Sequence, residues 1–413
     1  MDDYTKRDDS GGGPVVPPCC APEPRSSRRS MLGLLGGAAA AVAVGIPALA
    51  TPAAAGQVEG ASAGPQRPRF EPGVRNVDIG MPHGKLLGSI TAVAISPVNQ
   101  DIFLMHYMEL ADVLPAPAAR VPWIVRLDKR AQFISAWGGA DQLPKINGES
   151  QWPTWPENVE IDDEGNVWLG SWYADAGDNA MLRFTPDGRF LSRIGQRNRR
   201  GTNADTHLLG APPSAYHNVA TREVFVADGY ANNRIISFDV DSGEFKRMWG
   251  AGGDSNPAGQ TPEASFGNPV HKITKAPDGR LLVCDRAKNR IQEFEVTATG
   301  VSFVREITIA PGAGVFGTVS DVVVTPDNKW MYVVDMTHGR IWIINRTRWE
   351  VVGWVTGEDT ESYQDQDPDL YDGPRFSATN RRPVHRVALK ENGDLLLART
   401  RIGLTTLKLD RVR

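Results

Sequence analysis

The chain has 413 residues, 41% apolar and 23% charged, with 42 Gly and 30 Pro, which is the profile of a turn-rich globular protein with few long helices. Its formal net charge is −4, and residues 1–55 hold five acids against five bases, so losing them leaves the balance unchanged. A mildly acidic body argues against nucleic acid or an anionic membrane as partner.

Taken in chain order, the first element is an address. Ser27-Arg28-Arg29-Ser30 precedes an apolar run over residues 31–50, built mostly of Ala and Gly and followed by Ala53-Ala54-Ala55. This is the pattern of a twin-arginine export signal ending near Ala55. A retained anchor is the alternative, since the run approaches the roughly 20 residues that span a bilayer. Weak Ala/Gly hydrophobicity and the small-residue end favour cleavage, and with it a periplasmic or extracellular destination. Cys19 and Cys20 leave with the signal, so Cys284 alone remains and no internal disulfide can form. Residues 56–72, rich in Gly, Ala, Ser and Pro, read as a linker, and 73–413 as one folded unit.

Beyond residue 85 one pattern recurs: a short strand, a polar or Pro-Asp-Gly-like turn, an apolar strand, another turn, then a strand containing Arg-Ile. Residues 223–250 (EVFVADGYANNRIISFDVDSGEFKRMWG) and 279–295 (GRLLVCDRAKNRIQEFE) are the clearest copies. Aligned second strands place His106, Ser171, Asp228, Asp285, Asp335 and Arg399 at one repeat position, separated by 65, 57, 57, 50 and 64 residues. Six units of this size predict an all-β, six-bladed β-propeller. The last unit lacks a fourth strand, and VRNVDI at 74–79 is placed to supply it, closing the ring and removing its exposed edges.

The stretches VADGYANNRI and CDRAKNRIQEF resemble the NHL-repeat propellers, and among them the peptidyl-α-hydroxyglycine α-amidating lyases, zinc-dependent six-bladed propellers. The resemblance covers residues 155–409 and is specific across the third and fourth units.

In a propeller the innermost strands line a central channel, and equivalent positions on them form a ring. Counting back eight residues from the turn glycines gives Glu157, His271 and His385, on units two, four and six. Thr91, Ser214 and Ser320 fill the remaining places. Alternate blades converge with near three-fold symmetry, so the acid and the two histidines suit one divalent ion. Two imidazoles and a carboxylate match catalytic zinc and ferrous iron alike, whereas calcium prefers oxygen ligands.

The resemblance implies more. His271 and His385 match two of the family's zinc histidines, Tyr230 stands where its Asp-Gly-Tyr tyrosine acts at the substrate, and Arg286 lies in the matching Asp-Arg motif. Departures are equally specific. The first zinc histidine is replaced by Glu157, the family's Arg-Gly-Asp-His stretch is His106-Tyr107-Met108-Glu109 with no arginine, and an Asp associated with structural calcium is Arg386.

For Tyr230 a packed turn aromatic, and for Arg286 a salt bridge to Asp228 or Asp285, are the alternatives. His83 reads as a loop residue. Trp152, Trp155, Trp168, Trp172 and Tyr173 are candidates for a stacking wall or for core, and the acid-rich 358–374 excursion for a solvated loop.

The expectation is an exported monomer that takes a small-molecule or peptide-derived substrate at the channel mouth. If an enzyme, it is a metal-dependent carbon–oxygen lyase of the peptidylamidoglycolate lyase type; a non-catalytic binding propeller and a lactonase-like hydrolase stand beside it. No nucleophile elbow, phosphate loop, dinucleotide fingerprint or HExxH is present.

Overall fold

Short runs of β-branched and aromatic residues between turn residues can bury both faces only by stacking sheet on sheet, and this chain does so six times. The computed structural model describes residues 67–71, 73–107, 121–139, 145–310, 317–356, 384–400 and 403–411. The export signal and the 358–374 excursion lie outside the described residues.

Six four-stranded antiparallel sheets follow one another. Their innermost strands are Ser89–Ile95, Pro156–Ile161, Ser214–Asn218, Val270–Lys275, Val319–Val324 and Val384–Leu389. Five blades consist of consecutive strands. The sixth takes its outer strand from the beginning of the chain, Arg75–Asn76 pairing antiparallel with Thr405 and Thr406. The protein is a six-bladed β-propeller.

Six apolar clusters fill the six gaps between neighbouring blades. Ile90, Val93 and Leu104 of blade 1, for example, pack against Leu396, Ala398 and Leu404 of blade 6, so the last gap is sealed like the others. Cys284 is a buried member of the cluster between blades 4 and 5.

The repeated Asp and Arg of the sequence motif are fold determinants. Asp228 accepts from Gly210 N at 2.6 Å and from Arg234 Nε at 2.9 Å, and Asp285 accepts from Gly267 N at 3.0 Å and Arg290 Nε at 2.9 Å. Each pair ties the second strand of its blade to the third and to the loop entering the blade. Both carboxylates are buried, and an unpaired one would cost more than the pair contributes.

The feature that builds the channel is a β-bulge. In five blades the innermost strand carries one extra residue near its start: Thr91, Glu157, His271, Ser320 and His385. A bulge re-aims one side chain without disturbing the ladder on either side, so these five residues point out of the inter-blade register. Blade 3 has none: Ser214 pairs with Ala227, as Lys272 pairs with Cys284 in blade 4. Ser214 therefore sits at the level of Lys272, not of His271, and the expected six-membered ring has five members.

Candidate functional site

Glu157, His271 and His385 come together as the sequence predicts, all three buried, with one ligand atom from each within 4.8 Å of the others. Glu157 Oε1 lies 2.9 Å from His271 Nε2 and 3.2 Å from His385 Nε2. A tetrahedral ion at about 2.0–2.1 Å from each ligand needs ligand–ligand edges of about 3.3 Å, so the set is within a small expansion of that geometry.

The two other bulged residues orient the histidines through their backbones. His271 Nδ1 is 2.7 Å from the carbonyl of Ser320, and His385 Nδ1 is 2.6 Å from the carbonyl of Thr91. With its hydrogen on Nδ1, each imidazole would donate to that carbonyl and present the Nε2 lone pair, the arrangement in which histidine ligates metals. Glu157 Oε2 is buried and has no hydrogen-bond partner. A buried carboxylate oxygen left without a donor is costly unless something else completes it, and the donor set of one carboxylate and two imidazoles fits a divalent ion of the zinc or ferrous kind.

The electrostatics agree with ligation. Burial, reinforced by the Arg386 charge, pushes His271 down to about 3, so the ring is neutral at physiological pH. Burial alone would raise Glu157, but hydrogen bonds with His271 and His385 outweigh it and hold the carboxyl well below its usual range.

Tyr230, in the turn after the second strand of blade 3, reaches this group. Its hydroxyl donates to Glu157 Oε1 at 2.7 Å, lies 3.0 Å from His271 Nε2, and accepts from Arg286 NH1 at 3.1 Å. The salt bridge considered for Arg286 does not form, because Asp228 and Asp285 are taken by Arg234 and Arg290. Arg286 is 4% exposed, its Nε has no partner, and no carboxylate pairs with it among the described residues. A buried guanidinium in that condition suits a ligand carboxylate or carbonyl.

Beside Tyr230 stands an aromatic set from blade 2. Trp172 meets Tyr230 edge-on at 6.4 Å between centroids, stacks on Tyr173 at 4.9 Å and 12°, and lies 6.0 Å from Trp155. Trp152 and Trp168 belong instead to inter-blade cores.

Of the other histidines, His83 is exposed in a loop. His106 is structural: Gly88 N donates to its Nδ1 at 3.1 Å and its Nε2 lies 2.8 Å from the carbonyl of Pro122. Sequence reasoning noted Arg386 only as a departure from the family and Asn158 only as the neighbour of Glu157; in the structure Arg386 bonds Asn158 and reaches His271. The signal was adjacency, since each follows a candidate ligand in the chain.

No family model matches the chain. Among curated proteins it is similar to the peptidylglycine alpha-amidating monooxygenase of Rattus norvegicus, 30% identical over 165 residues, or 39% of this chain and 16% of that one. It is 28% identical over 225 residues to peptidyl-alpha-hydroxyglycine alpha-amidating lyase 1 of Drosophila melanogaster, covering 50% and 38% of the two chains. To the NHL repeat-containing protein 3 of Homo sapiens it is 24% identical over 282 residues, covering 67% and 71%.

Among solved structures it is similar to the virginiamycin B lyase from Staphylococcus aureus, 14% identical with a TM-score of 0.44, over 80% of this chain and 82% of that one. That likeness is too distant to bear on function. The chain spans less than half the length of the amidating relatives named here, and its homologues are amidating lyases and NHL repeat-containing proteins.

Proposed function

We propose that this chain is an exported, monomeric, metal-dependent lyase of the amidating type, acting on a small or peptide-derived α-hydroxy substrate at the channel mouth. Glu157, His271 and His385 would hold one divalent ion, zinc first and ferrous iron second; two imidazoles do not suit calcium. The observation that carries the reading is the convergence of a partnerless carboxylate oxygen, two oriented imidazoles, and Tyr230 with Arg286 on one point. Export rests on the Arg28-Arg29 signal; the linker expected over residues 56–72 is shorter than that, because Phe70 bridges Leu409 and is buried in the core between blades 5 and 6, so the propeller begins by Arg69. No helix among the described residues is long and apolar enough to cross a membrane.

The bond in question differs from the sequence expectation. An amidating lyase acting on an α-hydroxyglycine leaves an amide, so the Cα–N bond breaks and the hydroxyl-bearing carbon departs as an aldehyde; the class is carbon–nitrogen, not carbon–oxygen. The bound ion would supply Lewis-acid polarisation of the substrate hydroxyl. With its own proton first lost to solvent, the Tyr230 oxygen is placed to take the substrate's hydroxyl proton and return it to the departing nitrogen. Arg286, donating to the Tyr230 oxygen at 3.1 Å, favours charge gathering there while the proton is away, and its partnerless Nε is available to a substrate carboxylate. The Trp155–Trp172–Tyr173 set offers an apolar wall to the group beyond the amide.

A second reading, a non-catalytic binding propeller, is favoured by the breadth of the match to NHL repeat-containing protein 3, whose name carries no activity. Elemental analysis of the mature protein, purified without chelator or affinity metal, separates the two. About one zinc or iron per chain, lost in the His271→Ala/His385→Ala double variant, together with aldehyde release from an α-hydroxyglycine substrate, supports the lyase. Absence of metal from the wild type removes it.

A further inference from the structure

Arg386 follows His385 directly and is fully buried in the channel. No carboxylate pairs with it among the described residues. The two carboxylates of its tier, Glu160 and Asp321, are taken by Lys272, whose Nζ lies 2.6 Å from Glu160 Oε2 and 3.3 Å from Asp321 Oδ1. The guanidinium is therefore not there to balance an acid, and burying it without one is costly.

Its contacts all end on residues flanking the candidate metal group. Nε donates to Asn158 Oδ1 at 3.0 Å, and Asn158 is the neighbour of Glu157. NH1 donates to the carbonyl of Ser320 at 2.7 Å and lies 2.7 Å from His271 Nδ1. One side chain thus touches or adjoins all three candidate ligands, on three alternate blades.

The contact with His271 poses a choice. Nδ1 lies 2.7 Å from both an acceptor, the Ser320 carbonyl, and a donor, Arg386 NH1. A neutral imidazole carries one N–H. If Nδ1 holds the hydrogen, it donates to Ser320 and Nε2 offers a lone pair to a cation, but the guanidinium then faces an N–H at close range. If Nδ1 accepts from Arg386, its lone pair faces the Ser320 carbonyl at 2.7 Å, a contact the shared NH1 group screens, and the hydrogen is on Nε2 and donates to Glu157 Oε1 at 2.9 Å.

We propose that Arg386 is the positioning residue that sets the His271 tautomer, holding the ring in the Nε2–H form that bonds Glu157 and so opposing ligation until a cation displaces that hydrogen to Nδ1. This rests on the metal reading for its consequence but not for its geometry. When the hydrogen moves to Nδ1, it goes to the Ser320 carbonyl, which NH1 already shares, so no backbone movement is required. Arg386 thereby satisfies Glu157 Oε1 and both His271 nitrogens without a metal, and its charge further weakens the hold on a cation.

The test is a long-range ¹H–¹⁵N spectrum of histidine-labelled, metal-free full-length protein, wild type against Arg386→Met, with Asn158→Ala as a second variant that loosens the guanidinium while keeping its charge. The expected result is Nε2–H for His271 in the wild type, Nδ1–H in Arg386→Met, and a mixture in Asn158→Ala. One tautomer common to wild type and variants overturns the assignment.

Chelator competition with zinc alone reads the consequence: about tenfold tighter binding in Arg386→Met supports it, and equal or weaker binding overturns it. A wild type that takes no zinc, with the tautomer change intact, defeats the metal reading and leaves the positioning role of Arg386 standing.

Discussion

Two clusters in this propeller combine histidine with carboxylates at metal-binding separations: Glu157 with His271 and His385, and Asp162 with Glu164 and His217. They occupy opposite ends of the blade 2 innermost strand, and their surroundings differ in kind. Asp162 accepts from His217 Nδ1, Trp168 Nε1, the backbone of Glu164 and Asn166, and Arg183; Glu164 accepts from Arg183 and Arg222. Every oxygen has its donor. Burial would raise Asp162, and hydrogen bonds from His217 and Trp168 outweigh it and hold it below its usual range. Glu157 keeps an oxygen with no donor at all. His217 Nε2 is likewise buried without a partner, so composition, proximity and an unmet imidazole nitrogen are common to both clusters; the unmet carboxylate oxygen marks the one that suits a ligand.

The largest expected effect breaks this contrast or confirms it. Tyr230→Phe should lower turnover of an α-hydroxyglycine substrate by about 10²–10⁴-fold, the usual range for a lost acid–base group, with metal content unchanged. His217→Gln, made in the second cluster, should change neither. Steady-state kinetics beside elemental analysis decides, and unchanged turnover in Tyr230→Phe removes that residue from the chemistry.

The next effect is on stability, and the clusters should respond unequally. Asp162→Asn strips acceptors from buried or half-buried donors and should cost about 1–3 kcal/mol. Glu157→Gln in metal-free protein removes a carboxylate that the fold holds ionised but leaves Oε1 as the acceptor for Tyr230 and His271, and should cost less than Asp162→Asn. Urea unfolding of both variants is the measurement. A Glu157→Gln variant as unstable as Asp162→Asn would mean that Glu157 serves the fold.

Of these two clusters only the Glu157 group was legible in the sequence. The second-strand alignment placed His106, Ser171, Asp228, Asp285, Asp335 and Arg399 at one repeat position, and the strand registers leave the five bulged residues one step beyond their partners. The count failed in blade 3 because a bulge is one residue long and leaves no compositional trace, so its absence before Ser214 could not be read. Tyr230 and Arg286 were singled out through the resemblance, by the Asp-Gly-Tyr and Asp-Arg motifs they match. The roles of Asn158 and Arg386 escaped because they arise from blades far apart in sequence. The carboxylates that pair with arginines could be listed beforehand, but not which arginine would be left without one.

The smallest effect concerns pH, and two buried groups oppose each other in it. His271 titrates near 3 in the fold against an ordinary 6.5, so between those values the unfolded chain binds a proton that the native state refuses. Stability from this residue is complete above about 6.5 and falls as pH drops toward 3. Asp178 is raised by burial to about 6 from 3.8, so the native state keeps a proton there that the unfolded chain has lost. Its contribution has the other sign, present below about 3.8 and lost as pH rises through 6.

Urea titrations of metal-free protein at pH 7 and pH 5 should therefore show partial cancellation in the wild type. His271→Gln should leave the Asp178 slope alone, making the variant more stable at pH 5 than at pH 7. If the variant keeps the wild-type pH response, His271 is not held neutral by burial and the Arg386 charge, and the neutral-ligand account of the Glu157, His271 and His385 group fails with it.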